Sequence, residues 1–308
     1  MQQITTLTLN PALDATIQID EVKPNVKLRC DSPRRDPGGG GVNVSRALKR
    51  LGVRARTIYA KGGVTGDMFF ELLDKEDIEQ DPFQITGQMR ENINVMEKST
   101  GDVYRFVNPG APLSEEELEG LFETLKTLDT EFLVASGSLP PGVPEDTYAR
   151  LSRIAGEQEI KFVLDTSGPA LQNILEAGAH LIKPNLEELA GLTDHPLDSR
   201  QEQRAALSEL VKQYDIQAIV LSLGPEGAML ATAEGVIYQE APSVKKRNTV
   251  GAGDSMTAGL VHYLANGASF EEALTHGIAC GSAAIMTAGT ELLQKENVEQ
   301  LMEKMVGE

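Results

Sequence analysis

Tryptophan is missing from this chain of 308 residues, and only two cysteines and four histidines are present. Cys30 and Cys280 stand far apart with no partner spacing, which excludes a disulfide framework and a cysteine-based zinc site. The histidines, at 180, 195, 262 and 276, are scattered and show no H-E-x-x-H pattern, so none is assigned to catalysis or to a metal. No segment reaches the roughly 18 consecutive apolar residues of a membrane span, and the opening Met-Gln-Gln-Ile-Thr-Thr-Leu-Thr-Leu has no basic leader, so the expected compartment is the cytoplasm. Positive charge is scarce: 28 Lys and Arg face 46 Asp and Glu, a net charge of -18. Such a surface repels nucleic acid and anionic membranes, so an anionic ligand must meet a local basic pocket. Both the G-x-x-x-x-G-K-[ST] loop and a G-x-G-x-x-G run after a strand are absent, which excludes those two phosphate-binding schemes.

Present instead is a composition, 41% hydrophobic and 24% charged, suited to one large α/β domain with a small appendage. Short apolar runs at 4–9, 55–59, 132–135, 162–164, 181–182 and 216–221 read as buried strands. Helical patterns are expected over 42–51, 114 to about 126, 200–214, 254–264 and 270–286, with Ser114 and Glu117 forming a capping box. This alternation predicts βαβ units and a mainly parallel sheet. Two pieces break the rhythm: 16–36, with a second extended stretch around 27–30, and 92–107, with a turn at Ser99-Thr100-Gly101-Asp102. Both read as hairpins, together forming a small antiparallel sheet that covers a cleft or meets a partner copy, or else a pair of solvated arms.

Thr249-Val250-Gly251-Ala252-Gly253-Asp254-Ser255 runs into a helical pattern. Glycines strip side chains from the point where the first helical amides stand unpaired, and the dipole adds positive charge, a setting for phosphate. Asp254 beside that hole can accept a proton from a hydroxyl attacking a phosphoryl group, or can simply cap the helix. Pro37-Gly38-Gly39-Gly40-Gly41-Val42-Asn43 joins four glycines to a helix start; close approach of a ligand, or a hinge, explains them, and Asn43 offers a polyol both donor and acceptor.

Asn10-Pro11-Ala12-Leu13-Asp14 follows the first strand, so Asp14 lies where ligands of open α/β sheets gather, or serves a turn. Lys27, Arg29, Arg90 and Arg105 cluster cations on the two hairpins, enough for a phosphorylated sugar, though each alone fits solvated surface. Lys183-Pro184-Asn185-Leu186-Glu187-Glu188 places Asn185 and Glu188 three residues apart, suited to a hydrated Mg²⁺ or to a helix cap. Ser136 to Gly142 and Ser222 to Gly227 each end a strand with small residues that suit pocket walls.

Taken in this order, the segments resemble the ribokinase-like (PfkB) carbohydrate kinase family over essentially the whole chain. The resemblance implies a three-layer α/β/α sandwich, with a mainly parallel central sheet and a small antiparallel lid formed by about 14–36 and 91–108 inserted in one kinase domain over 1–308. It implies Asp254 as catalytic base and Gly251, Ala252 and Gly253 as the anion hole. Asp14, Gly38, Gly39, Asn43, Arg90, Arg105 and Ser138 would contact the sugar, with Lys27 and Arg29 near its phosphate. Lys183, Asn185, Ser222, Gly224, Gly227 and Asn248 would line the ATP side, with Glu188 acting on Mg²⁺ through water. K⁺ would meet carbonyls near Val250, Ala284, Thr287 and Gly289, although Glu291 replaces a usual basic residue.

Within the family, Lys27-Leu28-Arg29-Cys30, the glycine run, Tyr104-Arg105-Phe106 and Ser136 to Gly142 are most similar to members that phosphorylate fructose 6-phosphate at its 1-hydroxyl. Kinases of tagatose 6-phosphate or fructose 1-phosphate are the near alternatives, and a non-catalytic sugar or nucleotide sensor the distant one. Gly40 stands where the fructose 1-phosphate pattern resembles Gly-Lys-Gly. The resemblance also implies a homodimer through the lid, and neither nucleic acid nor membrane as partner.

Overall fold

The computed structural model describes residues 2–287 and 291–307. A nine-stranded sheet forms the centre. Its strands, in chain order, are β1 (Gln2–Thr8), β4 (Arg56–Lys61), β5 (Gln80–Gln84), β8 (Thr130–Ser136), β9 (Lys161–Asp165), β10 (Ala179–Ile182), β11 (Ile216–Ser222), β12 (Ala228–Thr232) and β13 (Gly235–Gln239). Their spatial order is β13-β12-β11-β10-β9-β8-β1-β4-β5, parallel except for the β11-β12-β13 meander. The order reverses between β1 and β8: the chain runs one way to β4 and β5, and the other way from β8 to β13. Ligands of open α/β sheets bind beyond the strand ends at such a reversal.

Sequence explains the layering. Alternate residues of β8 feed opposite cores: Leu133 and Ala135 join one cluster, Phe132 and Val134 the other. The first cluster gathers Leu118, Leu121 and Phe122 of α3 (Glu115–Leu125), Leu151 of α4 (Thr147–Glu157), Leu171 and Ile174 of α5 (Pro169–Ala177) and Leu207 of α7 (Arg200–Gln213). The second takes Val44, Ala47 and Leu48 of α1 (Gly40–Arg50), with apolar residues of α8 (Ala252–Ala265), α9 (Phe270–Ile285) and α10 (Lys295–Val306). Both sheet faces are covered, so β1 buries Ile4 and Leu7 completely. Each fully buried aliphatic side chain contributes about 1.5–3 kcal/mol relative to exposure. Between α8 and α9 the backbones come close, because a Cβ on Gly259 would lie 2.8 Å from Cys280 Sγ. Capping boxes open α3 at Ser114, as expected, and also α7 at Ser199 and α9 at Ser269.

The second sheet contains β2 (Ala12–Ile19), β3 (Arg34–Gly38), β6 (Arg90–Glu97) and β7 (Val103–Phe106), in the order β3-β2-β6-β7. The expected hairpins are there. β2 with β3 and β6 with β7 pair antiparallel, while the central β2–β6 contact that joins them is parallel, from Ala12↔Arg90 to Ile19↔Glu97. The second strand of the first hairpin falls at Arg34–Gly38 instead of around 27–30, which is exposed coil. Register with β2 is set by Asp14↔Asp36 and Ala12↔Gly38, and carries the strand straight into the glycine run. Between β4 and β5 lies α2 (Gly63–Lys75); a short α6 (Leu186–Ala190) follows β10. Among the described residues no helix is long and apolar enough to cross a membrane.

Candidate active site

The loops after β8, β9, β10 and β11 line cavities at the front of α8. Gly251 caps that helix at φ 74, a left-handed conformation that glycine adopts freely, and a Cβ there would lie 2.3 Å from Leu292 Cδ2. No side chain caps α8, and the Ala252 N–H makes only a long 3.4 Å contact with the Thr249 carbonyl. Its first amides therefore face outward with the positive end of the dipole. Asn248 stands just before, its Oδ1 accepting from the Thr249 and Val250 N–H groups at 2.8 and 3.2 Å, so it shapes the turn and is not among the cavity-lining residues.

Two cavities adjoin this helix front. The smaller, about 280 Å³, is lined by Gly40, Ser136, Gly137, Ser138, Asp165, Thr166, Ser167, Glu188 and Asp254. The larger, about 490 Å³, is mainly apolar and takes in Ser222, Gly224, Gly227, Thr249, Ala252, Gly253, Met256 and Ile278. Gly253 faces one and Asp254 the other, so adjacent residues mark the boundary.

Asp254 is the most perturbed acid here. Burial pushes its carboxyl up to about 6, and the nearby Asp165 carboxylate adds to the rise. Opposing these are the Asn43 amide, whose Nδ2 donates to Asp254 Oδ2 at 2.9 Å, and the Lys183 charge. Such a group is ionised at neutral pH yet basic enough to accept a proton. Lys183 is buried. Burial alone would lower its pKa, but Asp165, whose Oδ2 lies 3.0 Å from Nζ, outweighs that and holds it above the ordinary lysine value. Thr257 Oγ1 donates to the same Asp165 oxygen at 3.2 Å.

The glycine run is a packing necessity. A Cβ on Gly38 would lie 2.2 Å from Asp14 Oδ2, and one on Gly40 would lie 2.1 Å from Ser136 Oγ; Gly39 has φ 115. Asp14 accepts from Asn92 Nδ2 at 2.9 Å, and burial, opposed by that bond and by Arg90, raises its pKa. Arg90 clamps the carbonyls of Asn108 and Asn10, each at 2.8 Å, so it ties β6 to the segment after β1. Ser138 Oγ accepts from Asn10 Nδ2 at 3.3 Å.

Other expected residues sit apart. Lys27 and Arg29 lie in exposed coil and Arg105 on exposed β7; none lines either cavity. Asn185 and Glu188 form the reciprocal cap of α6, with Glu188 N donating to Asn185 Oδ1 at 2.9 Å and Asn185 N to Glu188 Oε2 at 2.8 Å. Glu188 nevertheless borders the smaller cavity, and burial raises its pKa. Thr287 Oγ1 donates to the carbonyls of Ala284 and Leu292, at 2.8 and 2.6 Å; Gly289 lies outside the described residues. Asp165 and Thr166 escaped the sequence reading. A signal was available: Asp165 closes the 162–164 run much as Asp14 stands just beyond the first strand, where ligands of open α/β sheets gather.

A proton acceptor set against bare helical amides, with a polar chamber on one side and an apolar one on the other, is the floor of a sugar kinase. The chain belongs to the pfkB family carbohydrate kinases, whose model matches residues 7–297. It is 39% identical over 303 residues to ATP-dependent 6-phosphofructokinase isozyme 2 of Escherichia coli strain K12, covering 98% of each chain. Crystal structures of phosphofructokinase-2 from Escherichia coli superpose along the full length. The complex with potassium gives a TM-score of 0.95 at 39% identity, covering 99% of this chain and 100% of that one. The complex with fructose-6-phosphate gives 0.93 at 37% identity, with the same coverage.

Proposed function

We propose that the protein phosphorylates fructose 6-phosphate at the 1-hydroxyl, with ATP as donor. As the hydroxyl oxygen bonds to the γ-phosphorus, the bond from that phosphorus to the β-bridging oxygen breaks; fructose 1,6-bisphosphate and ADP form, and the hydroxyl proton passes to Asp254. The observation that carries this reading is the placement of Asp254, bonded to Asn43 and standing at the boundary of two cavities beside the front of α8. The activities of the similar proteins support the sugar.

Each chain segment has a task in this reading. Asp14 and Asn43 hold sugar hydroxyls above the glycine floor, Ser138 closes the chamber wall, and Arg90 with Lys27, Arg29 and Arg105 supplies the cationic side. Gly251, Ala252 and Gly253 turn their amides to the migrating charge. The apolar chamber, with Ser222, Gly224 and Gly227 on its wall, fits a purine, and Lys183 stands at its phosphate end, where a Cβ on Gly253 would come 3.4 Å from Nζ. Among the described residues no cluster of three or more acidic, histidine or cysteine side chains could cage a metal. The Glu188 carboxylate, which borders the smaller cavity, and the neighbouring Asn185 amide fit a Mg²⁺ that keeps water and arrives with the nucleotide. When bound, the ion neutralises phosphate charge. For K⁺, carbonyls near Val250, Ala284 and Thr287 are the ligands we propose; the Ala284 carbonyl accepts from the Thr287 N–H at 3.2 Å and from its Oγ1 at 2.8 Å, so it would exchange one of these bonds for the cation.

The choice against fructose 1-phosphate rests on Gly40. Its contact with Ser136 leaves no room for the lysine of the alternative pattern without moving β8 or α1. Ile93, Tyr104 and Phe106 are exposed on one face of the small sheet, and we propose that a second copy covers them. A coupled ADP-release assay with fructose 6-phosphate, fructose 1-phosphate, tagatose 6-phosphate and ribose tests the acceptor; fructose 6-phosphate should give the highest kcat/KM. Asp254→Asn should lower kcat by about 10²–10⁴. Unchanged turnover would remove it from the mechanism.

A further inference from the structure

Arg46 carries no part of the chemistry described so far, yet it is the most densely bonded cation near the site. It is 3% exposed and lies on α1 one turn beyond Asn43. Its guanidinium forks onto Glu76 at the end of α2, Nε to Oε2 at 2.8 Å and Nη2 to Oε1 at 2.7 Å. An ion pair with Glu76 would need no more than that. The remaining nitrogen, Nη1, turns the other way and donates to the Pro37 carbonyl at 2.9 Å and to Asn43 Oδ1 at 3.4 Å.

That geometry decides which way the Asn43 amide faces. Arginine has donors only, and an ionised carboxylate accepts only. With Arg46 on one edge of the amide and Asp254 on the other, the oxygen must face Arg46 and the NH₂ must face Asp254, as the 2.9 Å Nδ2 to Oδ2 bond shows. A reversed amide would set oxygen against carboxylate and NH₂ against guanidinium. Holding the Pro37 carbonyl with the same nitrogen fixes the entrance of the glycine run relative to that amide.

We propose that Arg46 is a positioning residue for phosphoryl transfer, one that locks Asn43 with its NH₂ edge on Asp254 and couples this alignment to α2 through Glu76. The inference rests on Asp254 being the base. Its route is indirect, so it makes a demand that mere structural support does not: the effect of changing Arg46 must vanish when Asn43 is absent.

The test is a double-mutant cycle. Arg46→Lys keeps the charge and loses the fork, and it is made in the wild type and in Asn43→Ala, with ATP and fructose 6-phosphate as substrates. In the wild type kcat should fall about tenfold to a hundredfold, the scale of a small misalignment, with KM for ATP unchanged. In Asn43→Ala the same change should move kcat by less than about twofold. Equal losses in both backgrounds, or no loss in the wild type with native circular dichroism, overturn the proposal. Should Arg46→Lys not fold, Glu76→Gln enters the cycle under the same criteria. Asp254→Asn is measured alongside: retained turnover there sinks the base itself, whereas an inactive Asp254→Asn with additive Arg46 effects sinks only the positioning role.

Discussion

Lowering the pH from 8 to 5 interrogates Asp254 without altering the chain. Only the carboxylate accepts a proton, and burial with the Asp165 charge sets its midpoint at about 6. It is then about nine-tenths ionised at pH 7 and about one-tenth at pH 5, so kcat/KM for the sugar should fall across that range as an acidic limb. The second ionisation of a phosphate ester also lies at about 6, so the wild-type curve alone does not isolate Asp254. Asn43→Ala separates the two. The Nδ2 bond at 2.9 Å favours the charged carboxylate, so its loss moves the limb to higher pH, while the substrate titrates as before. A hydrogen bond to a charged group is worth about 1.5–3 kcal/mol, which corresponds to about one to two pH units. The assay is initial-rate ADP release at saturating ATP and constant ionic strength. A flat wild-type profile, or a limb that stays put or moves to lower pH in Asn43→Ala, refutes the reasoning.

Gly251→Ala places a side chain at φ 74 and against Leu292, so urea unfolding should show a loss of at least about 1–2 kcal/mol, with a raised KM for ATP; an unchanged KM would contradict the helix-front assignment. His276 is 5% exposed, and burial lowers its pKa to about 4, opposed by the Gly259 carbonyl and reinforced by His262. The unfolded chain therefore takes the proton first, and stability present above about pH 6.5 is lost as pH falls towards 4, roughly 2 kcal/mol between pH 7 and 5. His276→Leu should remove that component, and an unaltered pH slope in urea titrations would count against it. Phe106→Glu, at a site 59% exposed on the small sheet, should abolish the proposed self-association in analytical ultracentrifugation; an unchanged assembly would move the interface elsewhere.

Much of the main sheet was legible because its strands are buried on both faces and read as continuous apolar runs. The run at 132–135 is the inside of β8, and 216–221 of β11, each within a residue or two of the observed ends. Less visible were β12 and β13, which form an antiparallel meander at the edge, and α2, whose Val64, Met68 and Phe70 face solvent and blur the helical period. Single residues of the site were read where glycine or a strand end marked them, as at Asp254, Asn43 and Asp14. Asp165 carried no glycine. Its importance comes from Lys183 and Thr257, far off in the chain, and no local pattern announces such a meeting. Lys27 and Arg29 were grouped with the site by their charge; their segment is exposed coil that follows neither hairpin ladder, so the fold of one chain gives them no fixed place at the cavities.

The position of β1 shapes how this chain must be made. Gln2–Thr8 is synthesised before the other strands of its sheet, yet it ends between β4 and β8, and its partners at Thr130–Ala135 lie about 120 residues downstream. At about 5–20 residues per second, one flank of that strand waits roughly 6–24 s for its neighbour. During that time an open edge of unpaired backbone N–H and C=O groups is available to other nascent chains, which makes early synthesis the stage at which holding chaperones would most improve the yield of folded protein.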